Sequence, residues 1–479
     1  MGRMRVRAFF AHAGTLKMKA TKKARLTHDN SPFSTLLNQD LSGSTLRVKL
    51  VVVLRFFTMR VVILGGGFAG LACARQLANS KAEVTLIDQA NHHLFQPLLY
   101  QVATAALSPA QIATPIRQVF RGARNLQVVM DEVLDVDRAH AEVVMRRGRV
   151  HYDVLVVATG ARHSYFKNPE WEPLAPGLKT LADALKCRSK ILTAFERAES
   201  STDEFSRRNL TTFVFVGGGP TGVEMAGATA ELAKNVLSQE FQRAHPERAR
   251  IFLIEAGPRL LSAFPEELSN YTRHSLELLG VQVRTSTRVV DIGPTSIVVQ
   301  AADRGELEKI FCQNVFWAAG TKASRASDWL RAPSDAQGRV KVTPALHLYD
   351  DPKIFVIGDT ACVEDRGQML PSLAPVALQQ GEFIGRSLRR AANHQQPVAL
   401  KTFKYKDKGI LATIGRSKAV ALVSGRQFTG FTAWILWSIV HIMYLVGFRN
   451  RLFVFLDWVH SYVTYSRGAR LIDSEGSKQ

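Results

Sequence analysis

Short apolar runs that stop at glycine alternate along this chain with longer stretches of helical period. Val61-Val-Ile-Leu64 runs into three glycines at 65–67, and small and apolar residues follow to Leu77. Phe213-Val-Phe-Val216 runs into three more at 217–219, with a similar stretch behind it. Apolar runs this short, bounded by glycine, read as buried strands, and the periodic stretches behind them as helices. Further buried runs end at Glu255, at Ala158-Thr-Gly160, at Ala318-Ala-Gly320 and at Gly358-Asp359. A helix is predicted over 181–198. Strands alternating with helices predict an α/β fold whose parallel sheets are covered on both faces.

The order of these runs predicts two Rossmann-like dinucleotide-binding domains, the second inserted in the first. Residues 59–175 open the first domain, 176–320 form the second, and 321–396 complete the first with the strand at 354–357. The polar stretch Asn393-His-Gln-Gln396 then precedes a basic and apolar region, 397–479, read as a membrane-associating helical segment. Residues 1–58 are basic, poor in acids and without a periodic run before Val48. Met59 stands directly before the first strand, as a natural start would. The extension therefore reads as a spurious upstream start, a transit-like presequence or a basic arm. None of these gives it a catalytic part.

Charge sharpens the view of the two ends. The 479 residues carry a net +21; residues 1–58 hold 11 Lys/Arg against Asp29 and Asp40, and residues 401–479 hold 12 against four acids. Basic ends suit nucleic acid or an anionic membrane surface. Nothing between them resembles a nucleic-acid module, and the C-terminal basic residues flank apolar stretches. Membrane is expected, nucleic acid is not. Cys73, Cys187, Cys312 and Cys362 form no C-x-x-C or C-x4-C pair, so neither a metal clamp nor a local redox disulfide is expected. Cys73 falls on the helix behind the first glycine loop and is expected to pack there.

Both loops have the spacing G-x-G-x-x-G: Gly65, Gly67, Gly70 in the first, Gly217, Gly219, Gly222 in the second. The first glycine permits the turn, the second lets backbone approach a pyrophosphate, and the third lets helix and strand pack closely. The helix N-terminus offers free N–H groups and a positive dipole end to the phosphates. An acid ends the next strand in each unit, Asp88 and Glu255, placed to accept from an adenosine ribose. Two such loops in one chain imply two dinucleotides and electron transfer between them. Asp359, at the tip of the returning strand, suits the ribityl chain of a flavin or else caps the helix that follows. With the first loop it favours FAD there, contacted also through Thr159, Gly160 and Gly358. The second loop, with Thr221 and Gly320, then takes the nicotinamide cofactor. A carboxylate at 255 repels a 2′-phosphate and predicts NADH; Arg259, four residues on, leaves NADPH open.

Several motifs in order resemble one family, the type II NADH:quinone oxidoreductases, from about Met59 to Ile472. They are Asn91-His-His-Leu-Phe-Gln-Pro-Leu-Leu-Tyr-Gln-Val-Ala103, Gly217-Gly-Gly-Pro-Thr-Gly-Val-Glu224, Ala374-Pro-Val-Ala-Leu-Gln-Gln380 and Phe403-Lys-Tyr-Lys-Asp-Lys-Gly409. Gly447-Phe-Arg-Asn-Arg451 and Tyr465-Ser-Arg-Gly-Ala-Arg470 also fit. The resemblance implies that Gln96, Pro97 and Leu98 pass beside the isoalloxazine, with Ala377 also at the FAD. It places Gln379, with Gln380 beside it, at a quinone head group, and Lys408 and Leu411 near that pocket. Pro375 stands where many members have Gln, so the amide that the resemblance implies there is missing. Glu224 is implied at the nicotinamide–flavin contact, although Thr221-x-x-Glu224 is also a capping box by spacing. Sulfide:quinone oxidoreductases and disulfide reductases, which share the fold, need cysteines spaced as none are here.

At the C-terminus, residues 431–448 are apolar apart from Thr432, Ser438 and His441, marginal in length for a membrane span. Residues 452–465 are shorter and carry Asp457 and His460. Trp434, Trp437, Tyr444, Trp458 and Tyr462 are expected as interfacial aromatics, with Arg449 and Arg451 between the segments. Two helices dipping into one leaflet fit this best; a core helix plus a dimer helix is the soluble alternative. The expected protein is a peripheral flavoenzyme that oxidises NADH and reduces a lipid quinone, without a metal and without proton pumping. Its place is the cytoplasmic face of the bacterial inner membrane, or the mitochondrial inner membrane if the extension is a transit peptide. A homodimer is left open. A soluble reductase of a ferredoxin-like carrier and a flavin-binding membrane scaffold or sensor are the competing readings.

Overall fold

The computed structural model describes residues 58–302, 305–464 and 467–472, so the basic extension lies outside the described residues apart from Thr58. β1 (Arg60–Leu64) takes the centre of a five-stranded parallel sheet, flanked by β2 (Glu83–Asp88) and then β3 (Leu126–Met130). β4 (Val154–Val157) pairs with the other side of β1. Residues 61–64 and 154–157 are all apolar and all buried, the pattern of strands covered on both faces. β5 (Thr212–Val216), β6 (Arg250–Ile254), β7 (Val281–Arg284) and β8 (Asn314–Trp317) then form a second parallel sheet, in the order β7-β6-β5-β8. β9 (Ile354–Val356) returns to pair with β4 at the edge of the first sheet.

The two sheets are joined by a second pairing. Ala161–His163, just after Gly160, runs antiparallel to Thr321–Ala323, just after Gly320. Both glycines hold positive φ, +67° and +81°, so each strand end turns in a conformation open to glycine. The cover over the sheets is not all helical. Val133–Asp137, Glu142–Met145 and Gly148–His151 form an antiparallel meander whose Val136 and Val143 join the core of the first sheet. Thr287–Ile292, Ser296–Ala301 and Leu307–Phe311 do the same for the second, through Ile297, Val299 and Ile310.

Each glycine loop opens a helix, α1 (Phe68–Leu77) behind β1 and α2 (Pro220–Glu231) behind β5. α3 (Ala374–His394) lies close on α1: a Cβ on Gly381 would stand 2.1 Å from the Ala69 carbonyl oxygen, and one on Gly385 2.7 Å from that of Cys73. Cys73 is buried at this contact. The helix predicted over 181–198 is Leu181–Ser200, capped by Thr180.

A three-stranded antiparallel sheet, β10 (Ile410–Gly415), β11 (Lys418–Val423) and β12 (Arg426–Thr429), follows α3. It rests on α2, where a Cβ on Gly227 would approach the Ile414 carbonyl oxygen to 2.5 Å. α4 (Gly430–Tyr444) and α5 (Phe448–Thr464) are the last two helices of the described residues. The apolar segment expected at 431–448 thus gives a helix of 15 residues, and the second helix begins at Phe448 rather than 452. Arg449 and Arg451 sit in its first turn, not between helices. No helix of the described residues is long and apolar enough to cross a membrane.

Candidate active site

The two glycine loops are built alike, atom for atom, at the points that matter. Gly65 and Gly217 hold φ of +99° and +112°. A Cβ on Gly70 would lie 1.8 Å from the Gly65 carbonyl oxygen, and one on Gly222 1.8 Å from that of Gly217. The third glycine therefore packs the helix against its own loop. Cβ atoms on Gly67 and Gly219 would meet nothing within 4 Å. These two are the N-cap residues of α1 and α2, and neither helix receives a side-chain cap. Uncapped N–H groups beside an open glycine are the geometry a pyrophosphate needs, so both loops fit a dinucleotide.

The acids do more than expected. Asp88 Oδ2 accepts from the Gly66 N–H at 2.5 Å and Oδ1 from Ala90 at 2.7 Å. Glu255 Oε2 accepts from Gly218 at 2.5 Å and Oε1 from Gly257 at 2.6 Å. Each carboxylate thus ties its strand to the middle glycine of its own loop, with lone pairs left over. Burial raises the Asp88 carboxyl from its ordinary value, against the pull of the Gly66 and Ala90 N–H groups. Arg259 donates to the Ser262 carbonyl at 3.0 Å.

Around the first loop the structure gathers most of the residues predicted for the flavin. Gly358, at φ +71°, stands where a Cβ would meet Ala69 at 3.1 Å and Ala377 at 3.6 Å. Asp359 does not cap a helix; its carboxylate pairs with Lys179 at 3.7 Å. Gln96, in the single turn Gln96–Leu98 that includes Pro97, donates to the Lys179 carbonyl at 3.3 Å. The Thr159 and Ser324 hydroxyls are 2.5 Å apart, and the Gly160 carbonyl accepts from Ser324 N at 3.0 Å and from the Thr360 hydroxyl at 3.3 Å.

Glu224 is not half of a capping box. Gly219 is the N-cap, Pro220 takes the first helical position, and Thr221 falls inside the first turn. Glu224 instead faces β10 and accepts from the Thr413 N–H; burial pushes its carboxyl up to about 8. The Tyr100 hydroxyl lies 3.0 Å from Thr413 Oγ1 and receives Gln101 Nε2 at 2.9 Å. Burial, then the charge of Glu224, raises the Tyr100 phenol.

A cavity of about 500 Å³ lies between α1, α3, the 403–408 segment and the end of α4. Phe68, Leu71, Pro375, Leu378 and Phe403 make its buried or half-buried floor, and Gln379 and Lys408 face it. The Gln379 amide is held at two points by Lys406, donating to its carbonyl at 2.9 Å and accepting its N–H at 3.0 Å. Gln380 does not join it. That side chain is buried and accepts the Gly358 N–H at 2.7 Å, which anchors the turn carrying Asp359. Glu224 is not part of this cavity, and Leu411 lies on β10 outside it.

The aromatic residues of the C-terminal helices divide rather than lining one interface. Trp437 is buried, stacked on His441 with ring centres 4.2 Å apart and tilted against Trp458 at 5.2 Å. Trp458 donates to Gln101 at 2.8 Å, and Tyr462 lies under the Arg416 guanidinium at 4.5 Å. The outward face carries Phe431, Ile439, Met443, Phe448, Phe455 and Val459, all exposed, and of the expected aromatics Tyr444 and Tyr462 are exposed with them.

Sequence reasoning passed over four residues. His93 is buried and its Nδ1 meets the Gly66 carbonyl at 2.9 Å; burial pushes the ring down to about 4, so it stays neutral and donates there. Its place in the Asn91-His-His motif was the available signal. Lys179 had none. The G-x-x-x-G spacing of Gly381 and Gly385 could have marked the close contact of α3 with α1.

Residues 59–381 match the family model of pyridine nucleotide-disulphide oxidoreductases, and residues 408–466 match that of the NDH2 C-terminal domain. The disulphide of the first description has no counterpart, since all four cysteines are free and buried. Among similar proteins is the type II NADH:quinone oxidoreductase Ndh of Mycobacterium tuberculosis, 38% identical over 87% of this chain and 90% of its own. The mitochondrial external NADH-ubiquinone oxidoreductase 2 of Saccharomyces cerevisiae is 29% identical over 84% of this chain and 80% of its own. The solved structure of NDH2 from Plasmodium falciparum in complex with NADH shares the fold, with a TM-score of 0.79 at 22% identity. It covers 86% of this chain and 99% of that one.

Proposed function

We infer the reaction from one premise, that this chain belongs to the type II NADH:quinone oxidoreductase family. It is an oxidoreductase that takes electrons from NADH and delivers two of them to a quinone, with a flavin between. The observation that carries the assignment of ligands to sites is the pair of matched loops, one in each sheet. FAD belongs at the first, its pyrophosphate on the N–H groups of α1 beside Gly67 and its ribose at Asp88. NADH belongs at the second, on α2 beside Gly219, with the ribose hydroxyls on the free lone pairs of Glu255. When bound, the flavin supplies the two-electron relay between nicotinamide and quinone.

The chain's own residues orient and exclude. Asp359, held by Lys179 and by the Gly358 turn that Gln380 anchors, receives the hydroxyls of the ribityl chain. Gln380 is therefore a positioning residue and not a quinone ligand. Glu224 keeps its proton at neutral pH because ionising it in its buried place is costly. It can thus donate a hydrogen bond beside the nicotinamide–flavin contact without placing a charge there. The quinone head group enters the cavity over Phe68, Leu71 and Leu378. Gln379 retains one N–H and one lone pair for it after its two bonds to Lys406, and Lys408 adds a donor. Pro375 offers only a wall.

The exposed apolar face of α4 and α5 lies in the headgroup region of one leaflet, peripheral rather than spanning. The side is the cytoplasmic face of a bacterial inner membrane, or a mitochondrial inner membrane if residues 1–58 are a transit peptide. Heat release of the bound flavin and its chromatography tests the cofactor assignment: FAD supports it, and FMN overturns it because FMN has no pyrophosphate for the first loop to hold.

A further inference from the structure

Six basic side chains ring the mouth of the 500 Å³ cavity: Arg75, Arg386, Lys404, Lys406, Lys408 and Arg451. All six are exposed. The one acid among them, Glu382, is committed to Arg386 at 3.2 Å. Among the described residues no ion pair joins the other five to a carboxylate. Cations gathered this way repel one another. The Arg75 guanidinium is lowered first by loss of hydration and then by the charge of Arg451. Arg451 is itself fixed, with Nε donating to the Leu445 carbonyl at 2.7 Å, which leaves its terminal nitrogens free to bind.

The same mouth has an apolar lip. Met443 and Tyr444 line it at 66% and 44% exposure, and Phe448 follows at 81%. A small soluble anion would satisfy the cations and leave this lip in water. A molecule with a phosphate and acyl chains satisfies both. We propose that the mouth is a binding site for the headgroup of an anionic phospholipid, its phosphate between Arg75 and Arg451 and its chains along Met443, Tyr444 and Phe448. This rests on the reading that α4 and α5 lie on a membrane. It adds that one lipid is held beside the entrance through which the quinone passes.

The test uses the full-length flavoprotein and sedimentation with vesicles of phosphatidylcholine, alone or mixed with phosphatidylglycerol. The expected result is binding about tenfold tighter to the mixed vesicles, since each basic residue near an anionic surface contributes about 1 kcal/mol. R75Q with R451Q loses most of that gain. R75K with R451K keeps most of it, which separates charge from misfolding. R121Q with R124Q, an exposed pair outside the cavity, also keeps it. Equal loss in the 75/451 and 121/124 glutamine pairs would show diffuse attraction and overturn the site. So would abolition of the gain by inorganic phosphate at matched concentration, which points to a free-phosphate site. Equal binding of the unaltered protein to both vesicles sinks the headgroup site and leaves the membrane reading standing. Failure to bind either vesicle sinks both.

Discussion

Glu255 accepts the backbone N–H of Gly218 at 2.5 Å, so the acid expected to select the cosubstrate also shapes the loop that holds it. Glu255→Gln keeps one acceptor oxygen and turns the other into a donor facing an N–H. Hydrogen bonds to charged groups contribute about 1.5–3 kcal/mol. The variant should lose about tenfold or more in kcat/KM for NADH, and discrimination against NADPH should shrink. Steady-state kinetics with both cosubstrates check this. An unaltered NADH:NADPH ratio removes Glu255 as the selector.

Glu224 makes a prediction in pH. Burial raises its carboxyl from the ordinary 4.5 to about 8, so across that interval the folded protein binds a proton that the unfolded chain has released. Stability therefore falls as pH rises through the window and levels off above it. Glu224→Gln cannot ionise, and the corresponding stretch of its Tm–pH curve should flatten relative to the unaltered protein. Turnover should drop by about tenfold or more, in the range of a positioned acid or base. A variant with unchanged turnover would leave Glu224 a structural residue only.

The glycines separate folding from binding. Gly70→Ala forces a Cβ to 1.8 Å from a backbone oxygen. Backbone cannot yield as a flexible side chain can, so the cost should be about 3 kcal/mol or more. Gly67→Ala has room for its methyl but sets it where the pyrophosphate must approach. Its expected signature is a protein of nearly normal secondary structure with little bound flavin. Denaturant unfolding and the flavin-to-protein absorbance ratio read the two effects apart; equal flavin loss without destabilisation in both variants would contradict this assignment.

Membrane attachment should depend on the aliphatic face of α4 and α5 and little on the buried indoles. Met443→Glu with Phe448→Glu is expected to move the protein from the membrane pellet to the supernatant after lysis without detergent. Both side chains are exposed, so the folded core should be spared. Retention of the double variant in the pellet would place the attachment elsewhere.

Much of the architecture was legible because glycine and apolar runs mark where strands end. Both loops, the returning strand at Ile354–Val356 and the helix at Leu181–Ser200 follow from that punctuation alone. Side-chain destinations were less legible. Gln379 and Gln380 are neighbours in sequence, yet successive helical residues point about 100° apart. One consequently reaches the cavity and the other the core. Trp437 and Met443 divide on α4 for the same reason. The capping box at Thr221 was a spacing coincidence, because Pro220 is preorganised for the first helical position and starts α2 earlier. Lys179 reaches Asp359 across 180 positions of chain, a pairing that only the returned strand creates.

Transfer from NADH through flavin to quinone is the central claim, and a single anaerobic experiment reads it directly. NADH is added to the detergent-solubilised protein, then a short-chain quinone, while the flavin absorption band is followed. Bleaching by NADH and rapid recovery on quinone addition are the predicted result. Bleaching with no quinone-dependent recovery would contradict the account.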